Sequence, residues 1–349
     1  MKNSMNALNV SLSFTIYLFS SFLFAQENNK FTRKNNAAPI IQYSSEKCYA
    51  RSIVVENNCV FTGNSDGSLW KTDLTSKQST NLLETKNFEE MRDLALVNGE
   101  LLGMQSGKNG LLVKTTTDVF KHFISPSSSI WNGVFLDGMD HKNETVFLMG
   151  DPKDGFFSLF VSEDKGKSWR NCKGRIEAMK GEAAFAASGT NVQVLSDSIF
   201  VFVSGGMKSR FFTTKNKGEN WDSVSLPFFT SESSGAFSVC FKNEQIGVVV
   251  GGDYANPQLN KNCSFYTTDG GKFWNNASTQ PRGYRSCVIE KNGVYYCCGS
   301  NGIDFSLDNG KTWKAFANGN FFSMTTDNNH LYATTINGSF QLFNLINEQ

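Results

Sequence analysis

Four stretches of this chain share one pattern, Ser/Thr-x-Asp/Asn-x-Gly-x-x-Trp, and that repetition limits the fold more than any other feature: SEDKGKSW, TKNKGENW, TTDGGKFW and SLDNGKTW. Each reads as a tight β-turn. An Asp or Asn side-chain oxygen accepts from nearby backbone N–H groups, and the Gly takes a positive φ that a Cβ would resist. The Trp folds back over the turn as an apolar plug. Asp164, Gly166 and Trp169, Asn216, Gly218 and Trp221, Asp269, Gly271 and Trp274, and Asp308, Gly310 and Trp313 are therefore expected to be structural rather than catalytic.

The four Trp are 52, 53 and 39 residues apart, a period suited to the blades of a β-propeller. Weaker copies extend the series. GNSDGSLWKT ends at Trp70 as a shortened box, VKTTTDVFKHF sets Phe120 where a Trp belongs, and LYATTINGSFQLFNL repeats the strand-turn-strand pattern without a box. Between them lie short apolar runs such as SIFVFVSGG and IGVVVGG, broken by Gly, Asn or Asp, and no long stretch carries a helical period. Frequent Phe and Gly (31 and 30) with only 6 Pro suit short strands and tight turns. A four-stranded sheet cannot bury both faces alone, so the repeats must stack and the ring must close. The expectation is all-β: one seven-bladed β-propeller over residues 37–349, with APIIQY (38–43) supplying a closing strand.

Lys2 and the apolar run from Leu12 to Phe24 read as a signal peptide over residues 1–25, followed by a polar leader over 26–36. The run is short for a membrane span, so the cleaved chain is expected to be exported, in the periplasm, at the cell surface or secreted, with no stable membrane insertion. An uncleaved anchor is the alternative. Basic and acidic side chains number 33 and 32, which gives no reason to expect nucleic acid as a partner. Three histidines, His122, His141 and His330, and no paired C-x-x-C predict no metal, and no cofactor motif is present. Eight cysteines in an exported chain permit disulfides. Asn292-Gly293 is a strong hairpin turn, so Lys291 faces Val294 and Cys287 falls opposite Cys298, the candidate bridge.

The boxes resemble the Asp-box (BNR) repeats of sialidases, sortilin-type receptors and the photosystem II stability/assembly factor family. The last is closest, through a branch of exported bacterial propellers often labelled oxidoreductase. The segments GDPKDGFFSLF, GEAAFAASGTN, FVSGG, VVVGGDY, KNCSFYTTDGGKFW and GYRSCV with CCGSNGIDFSLDNGKTW carry that likeness from about residue 130 to 315. It implies a seven-bladed propeller with an assembly or interaction role. The oxidoreductase label has no chemical support: there is no G-x-G-x-x-G between strand and helix. A sialidase-like glycoside hydrolase is the competing class, but Arg51 in ARSIVV lacks the Pro that such enzymes place after Arg.

Aligning the start of each innermost strand gives YARSIVV, EMRDLAL, FLDGMDH, GEAAFAA, GAFSVCF, YRSCVIE and FFSMTTD. In this register Arg51, Arg92, Arg285 and Asp137 are equivalent, with Glu182 within about one residue and Tyr284 alongside. Guanidinium forks suit carboxylate or phosphate, so the set is expected to ring the channel mouth and bind an anionic group of a protein or glycan. The competing role is internal pairing of Arg51 and Arg92 with Asp137 or Glu182. Asp151 in GDPKDG and Asp253 in GGDYANP are second candidates, expected to shape turns.

Overall fold

The computed structural model describes residues 48–83, 89–107, 110–116 and 129–346. The expected signal peptide, leader and closing strand at 38–43, and the stretch around Phe120, lie outside the described residues. The protein is an all-β, seven-bladed propeller. The innermost strands run Ala50–Glu56, Met91–Val97, Leu136–Lys142, Val192–Val194, Ser234–Phe241, Cys287–Lys291 and Met324–Thr326, and each pairs antiparallel with the next strand of its blade.

The alternation of side chains across a strand builds the ring. Val248 and Val250 of blade 5 pack toward Val288 and Tyr295 of blade 6, while Val249 between them packs toward Val201 and Phe211 of blade 4. Every adjacent pair of blades shares such an apolar cluster. Closure comes from Ile53 and Val60 of blade 1 against Tyr332 and Phe340 of blade 7.

The four boxes join the third strand to the fourth in blades 3 to 6. In the first, Gly166 N–H donates to Ser162 Oγ (2.8 Å), Ser168 N–H to Asp164 Oδ1 (2.8 Å) and Trp169 Nε1 to the Gly166 carbonyl (3.1 Å). The same hydroxyl contact recurs at Gly218 and Thr214 (3.1 Å), Gly271 and Thr267 (3.0 Å), and Gly310 and Ser306 (2.9 Å). All four glycines have φ between 76° and 86°. A Cβ on Gly166, Gly218, Gly271 or Gly310 would press on Leu102, Cys172, Phe211 or Val248, each from the preceding blade. The box is thus an interblade joint as well as a turn. Trp70 is a correction: it lies in the third strand of blade 1, Leu69–Asp73, so its stretch is not a box. Asp73, which accepts from Thr75 and Ser76 N–H, holds the equivalent turn.

Cys287 does face Cys298. The expected bridge is absent, however: Cys287 and Cys298 are both buried thiols. The Cys298 thiol and the Thr190 and Ser188 hydroxyls lie against Cys287 and give its thiol hydrogen-bonding company without a covalent bond.

Candidate functional site

A bulge shared by the inner strands builds the site. Register skips one residue at Arg51, Arg92, Asp137 and Phe237. Ser286 holds the same place in blade 6: its N–H donates to the Cys298 carbonyl (2.8 Å) although Cys287 is the partner of Cys298. Phe322 does so in blade 7, donating to the Thr334 carbonyl (3.2 Å), which Ser323 already faces. A bulged residue is turned out of the ladder, and these six side chains converge on one cavity of about 460 Å³.

The cavity is closed below by the connection from blade 3 to blade 4. Ser188 Oγ donates to the Ser286 carbonyl (2.8 Å) in blade 6, and the Ser188 carbonyl accepts from Ser323 Oγ (3.3 Å) in blade 7. Gly189, at φ 75°, sits where a Cβ would collide with Asp93 of blade 2. One segment can reach blades 2, 6 and 7 together only by crossing the axis of the ring. The propeller mouth is therefore a cup with Ala184–Ala187 in its floor.

On one side of the cup, Glu90 bridges two arginines: Oε1 lies 2.5 Å from Arg51 Nε and Oε2 2.5 Å from Arg92 Nη2. Arg92 also donates from Nη1 to the Ala186 carbonyl (2.5 Å). Arg51 stands 5.2 Å from the Tyr49 ring and 5.8 Å from Phe322, and Arg92 stands 5.5 Å from Phe135. Opposite is an aromatic wall. Phe185 stacks on Phe237 at 4.3 Å, Tyr254 stands edge-on to both, and Tyr284 meets Phe237 edge-on at 4.8 Å. Burial pushes the Tyr284 hydroxyl well above its usual pKa.

Asp137 lines the cup and is 1% exposed, and among the described residues neither carboxyl oxygen has a hydrogen-bond partner. Burial, then the neighbouring charge of Asp151, drives its pKa well above the usual carboxylate range, against the pull of Arg92 and of the nearby Asp151 backbone N–H, which falls short of good hydrogen-bond geometry. Asp151 is likewise raised by burial, and it accepts from Ala184 N–H (3.1 Å). It props the cup's floor, whereas Asp253 accepts from Ser233, Ala255 and Asn256 and shapes its own turn.

Of the six residues expected at the mouth, Arg51, Arg92, Asp137 and Tyr284 come together. Arg285 does not. It is fully buried, bonded to Asp304 through Nε (3.0 Å) and Nη2 and to Asn301 Oδ1 (2.5 Å). Its register is one residue off the bulge, and a shift of one sends a side chain to the opposite face. Glu182 is the second correction. It belongs to a two-residue strand paired with Gly205–Gly206, and it is locked to Arg210 by Oε1–Nε (2.8 Å) and Oε2–Nη2 (2.6 Å). The partner of Arg51 and Arg92 is Glu90, which the strand alignment passed over although it stands two residues before Arg92.

A family model described as sortilin, neurotensin receptor 3 (Sortilin-Vps10) matches residues 157–297, the stretch from blade 3 into blade 6. No curated protein matches the chain. Among solved structures, a catalytically inactive virginiamycin B lyase from Staphylococcus aureus with quinupristin superposes with a TM-score of 0.64 at 11% identity, over 90% of this chain and 100% of that one. The WD40 repeats of RRP9 give 0.62 at 12% identity, over 90% and 100% of the two chains. The WD40 propeller domain of Doa1 gives 0.62 at 10%, over 89% and 96%. These likenesses establish the fold.

Proposed function

We propose that the protein is an exported, non-catalytic scaffold that binds a protein or glycan partner by holding an anionic group in the mouth cup. The observation that carries this reading is Arg51. Its Nε is fixed by Glu90, its side chain is 22% exposed, and its two terminal nitrogens have no hydrogen-bond partner among the described residues. A guanidinium held by one edge with the other open is preorganised for a carboxylate or phosphate. The surrounding face adds contact area: Tyr49, Met179, Met207, Tyr254 and Ile336, all in loops on the mouth side, are at least 40% exposed. The sortilin-type match over residues 157–297 is consistent with a binding role. Closer kinship with photosystem II assembly factors, and the Asp-box identity of the repeats, are part of the same proposal.

The test pairs each acidic peptide or glycan with its neutral counterpart and compares the mature chain with Arg51→Ala. Loss of a charge-assisted contact should weaken acidic ligands by roughly ten- to a hundredfold. A chain that never distinguishes acidic from neutral ligands contradicts the reading.

A further inference from the structure

The box of blade 5, residues 267–274, departs from the other three at two positions. Lys165, Lys217 and Asn309 stand where it has Gly270. All three take a positive φ there, 63°, 55° and 59° against 78° for Gly270, so the turn accepts a side chain at this place. Glycine leaves the space empty. Ser168, Asn220 and Thr312 stand where it has Phe273. The Ser168 and Thr312 hydroxyls donate to Oδ2 of their own box Asp (both 2.6 Å), whereas Phe273 is 74% exposed, more than any other large hydrophobic side chain among the described residues. Neither change serves the turn, whose Thr267 and Asp269 bonds are made as in the other boxes.

Beside Gly270 a groove of about 340 Å³ opens between blades 4 and 5. A Cβ on Gly270 would meet the Glu244 carbonyl at 3.0 Å and Gln245 Nε2 at 3.8 Å, both from residues of the groove, so a side chain there would narrow it. Half-buried Leu195, Ile199 and Val224 line the groove with buried Phe211 and Phe241. Four exposed charges surround this apolar lining: Lys215 and Asp222 from blade 4, Glu244 and Lys272 from blade 5, none in a salt bridge among the described residues. A lone exposed Phe is ordinary on a protein surface. Here the exposed ring follows directly on a lip of an apolar groove that it leaves unfilled, in the one box altered at both positions.

We propose that the groove takes Phe273 of a second copy of this chain, so that two copies pair about a two-fold axis through the box face. A two-fold interface must complement itself. Phe273 and the groove are one residue apart at Lys272, so an axis passing beside the box brings each ring to the other copy's groove. The charges satisfy the same condition. Each copy offers two lysines and two carboxylates, which lets the lysines of one face the carboxylates of the other, whereas a groove made for an acidic or a basic partner would carry one sign. Each buried ring removes about 150–250 Å² from water, a small contact beside that of a permanent dimer, so the pairing is reversible. It leaves both mouths open and stands apart from the anionic-group reading above.

Sedimentation equilibrium of the mature chain tests this, with melting temperature recorded for every variant. The expected result is a monomer–dimer equilibrium with a Kd of about 1–100 μM. Phe273→Ser, which gives this box the residue found at 168, should weaken it by at least about a hundredfold without lowering the melting temperature, since each dimer loses two rings. Gly270→Lys, which narrows the groove, should weaken it by about tenfold or more. Two charge variants add a test that general stickiness fails. Lys215→Glu with Lys272→Glu makes the rim all acidic, and Asp222→Lys with Glu244→Lys makes it all basic. Each should be monomeric alone, and an equimolar mixture should dimerise. A wild type that stays monomeric at about 500 μM overturns the dimer. A dimer that Phe273→Ser leaves intact, or charge variants that fail to associate on mixing, overturns the assignment to this groove.

Discussion

The two faces of the ring treat equivalent positions in opposite ways. On the box face, blades 3 to 6 repeat one set of bonds: a hydroxyl accepts from the Gly N–H, an Asp or Asn oxygen accepts from later N–H groups, and the Gly leans on the preceding blade. On the mouth face, the shared bulge presents Arg, Arg, Asp, Phe, Ser and Phe in blades 1, 2, 3, 5, 6 and 7. One backbone device needs the same side chains four times, while the other accepts six side chains of differing chemistry. Where a repeat keeps its residues, the backbone is using them. Where it varies them on a constant backbone, they are available to bind something else. The hydrogen bonding agrees. The box carboxylates are satisfied, whereas Asp137 and Arg92 Nε at the mouth have no partner among the described residues.

The largest effect that would sharpen this contrast is expected next to the mouth but outside it. Arg285→Ala leaves the buried Asp304 with a single guanidinium, that of Arg282, and should cost about 3–5 kcal/mol. Chemical denaturation measures it, and a loss below 1 kcal/mol would mean that the pair is not structural. On the box face, Gly271→Ala sets a side chain at φ 86° against Phe211 and should cost about 2–4 kcal/mol. The same denaturation series tests it, and a neutral result would break the interblade role of the box.

A change of opposite sign is expected in the cup. Asp137→Leu removes an unsatisfied buried carboxyl and should raise stability by about 1–3 kcal/mol, read as a higher melting temperature. A drop of similar size would show that Asp137 already has its partners.

The acids also divide by pH. Burial alone would raise Asp164 and Asp308, but hydrogen bonds led by the Ser168 and Thr312 hydroxyls hold both below their ordinary values. Their folded-state pKa lies below the unfolded one, so their contribution is complete above about pH 4 and is lost as pH falls through the folded value. Asp140 in an inner strand is raised by burial to about 6. Its contribution is complete below about pH 4 and is lost as pH rises through about 6. Melting curves across pH should show Asp308→Asn flattening the acid limb and Asp140→Asn flattening the limb between pH 4 and 6. If each variant flattened the other's limb, the division would be wrong.

The boxes were legible because their logic is local, with the bonds of the hydroxyl and of the Asp or Asn side chain spanning two to four residues. So was the blade count, since period and turn chemistry agree. The mouth was half legible. Counting from the Asn-Gly turn that set Cys287 against Cys298 puts Ser286, five residues before Lys291, where Arg51 stands before Glu56. The Arg-Ser likeness of YARSIVV and YRSCVIE hid that count and promoted Arg285. Glu90, Phe185 and the crossing at Ser188–Gly189 depend on contacts between distant blades, and no local pattern announces them.

The central claim is that the mouth residues serve binding and their buried neighbours serve the fold. Arg51→Ala and Arg285→Ala, measured side by side for melting temperature and for affinity toward an acidic ligand, test it most directly. The account predicts that Arg51→Ala melts within about 1 kcal/mol of wild type and loses ten- to a hundredfold in affinity, and that Arg285→Ala loses stability heavily. An Arg51→Ala variant with unchanged affinity and a stability loss as large as that of Arg285→Ala would contradict it.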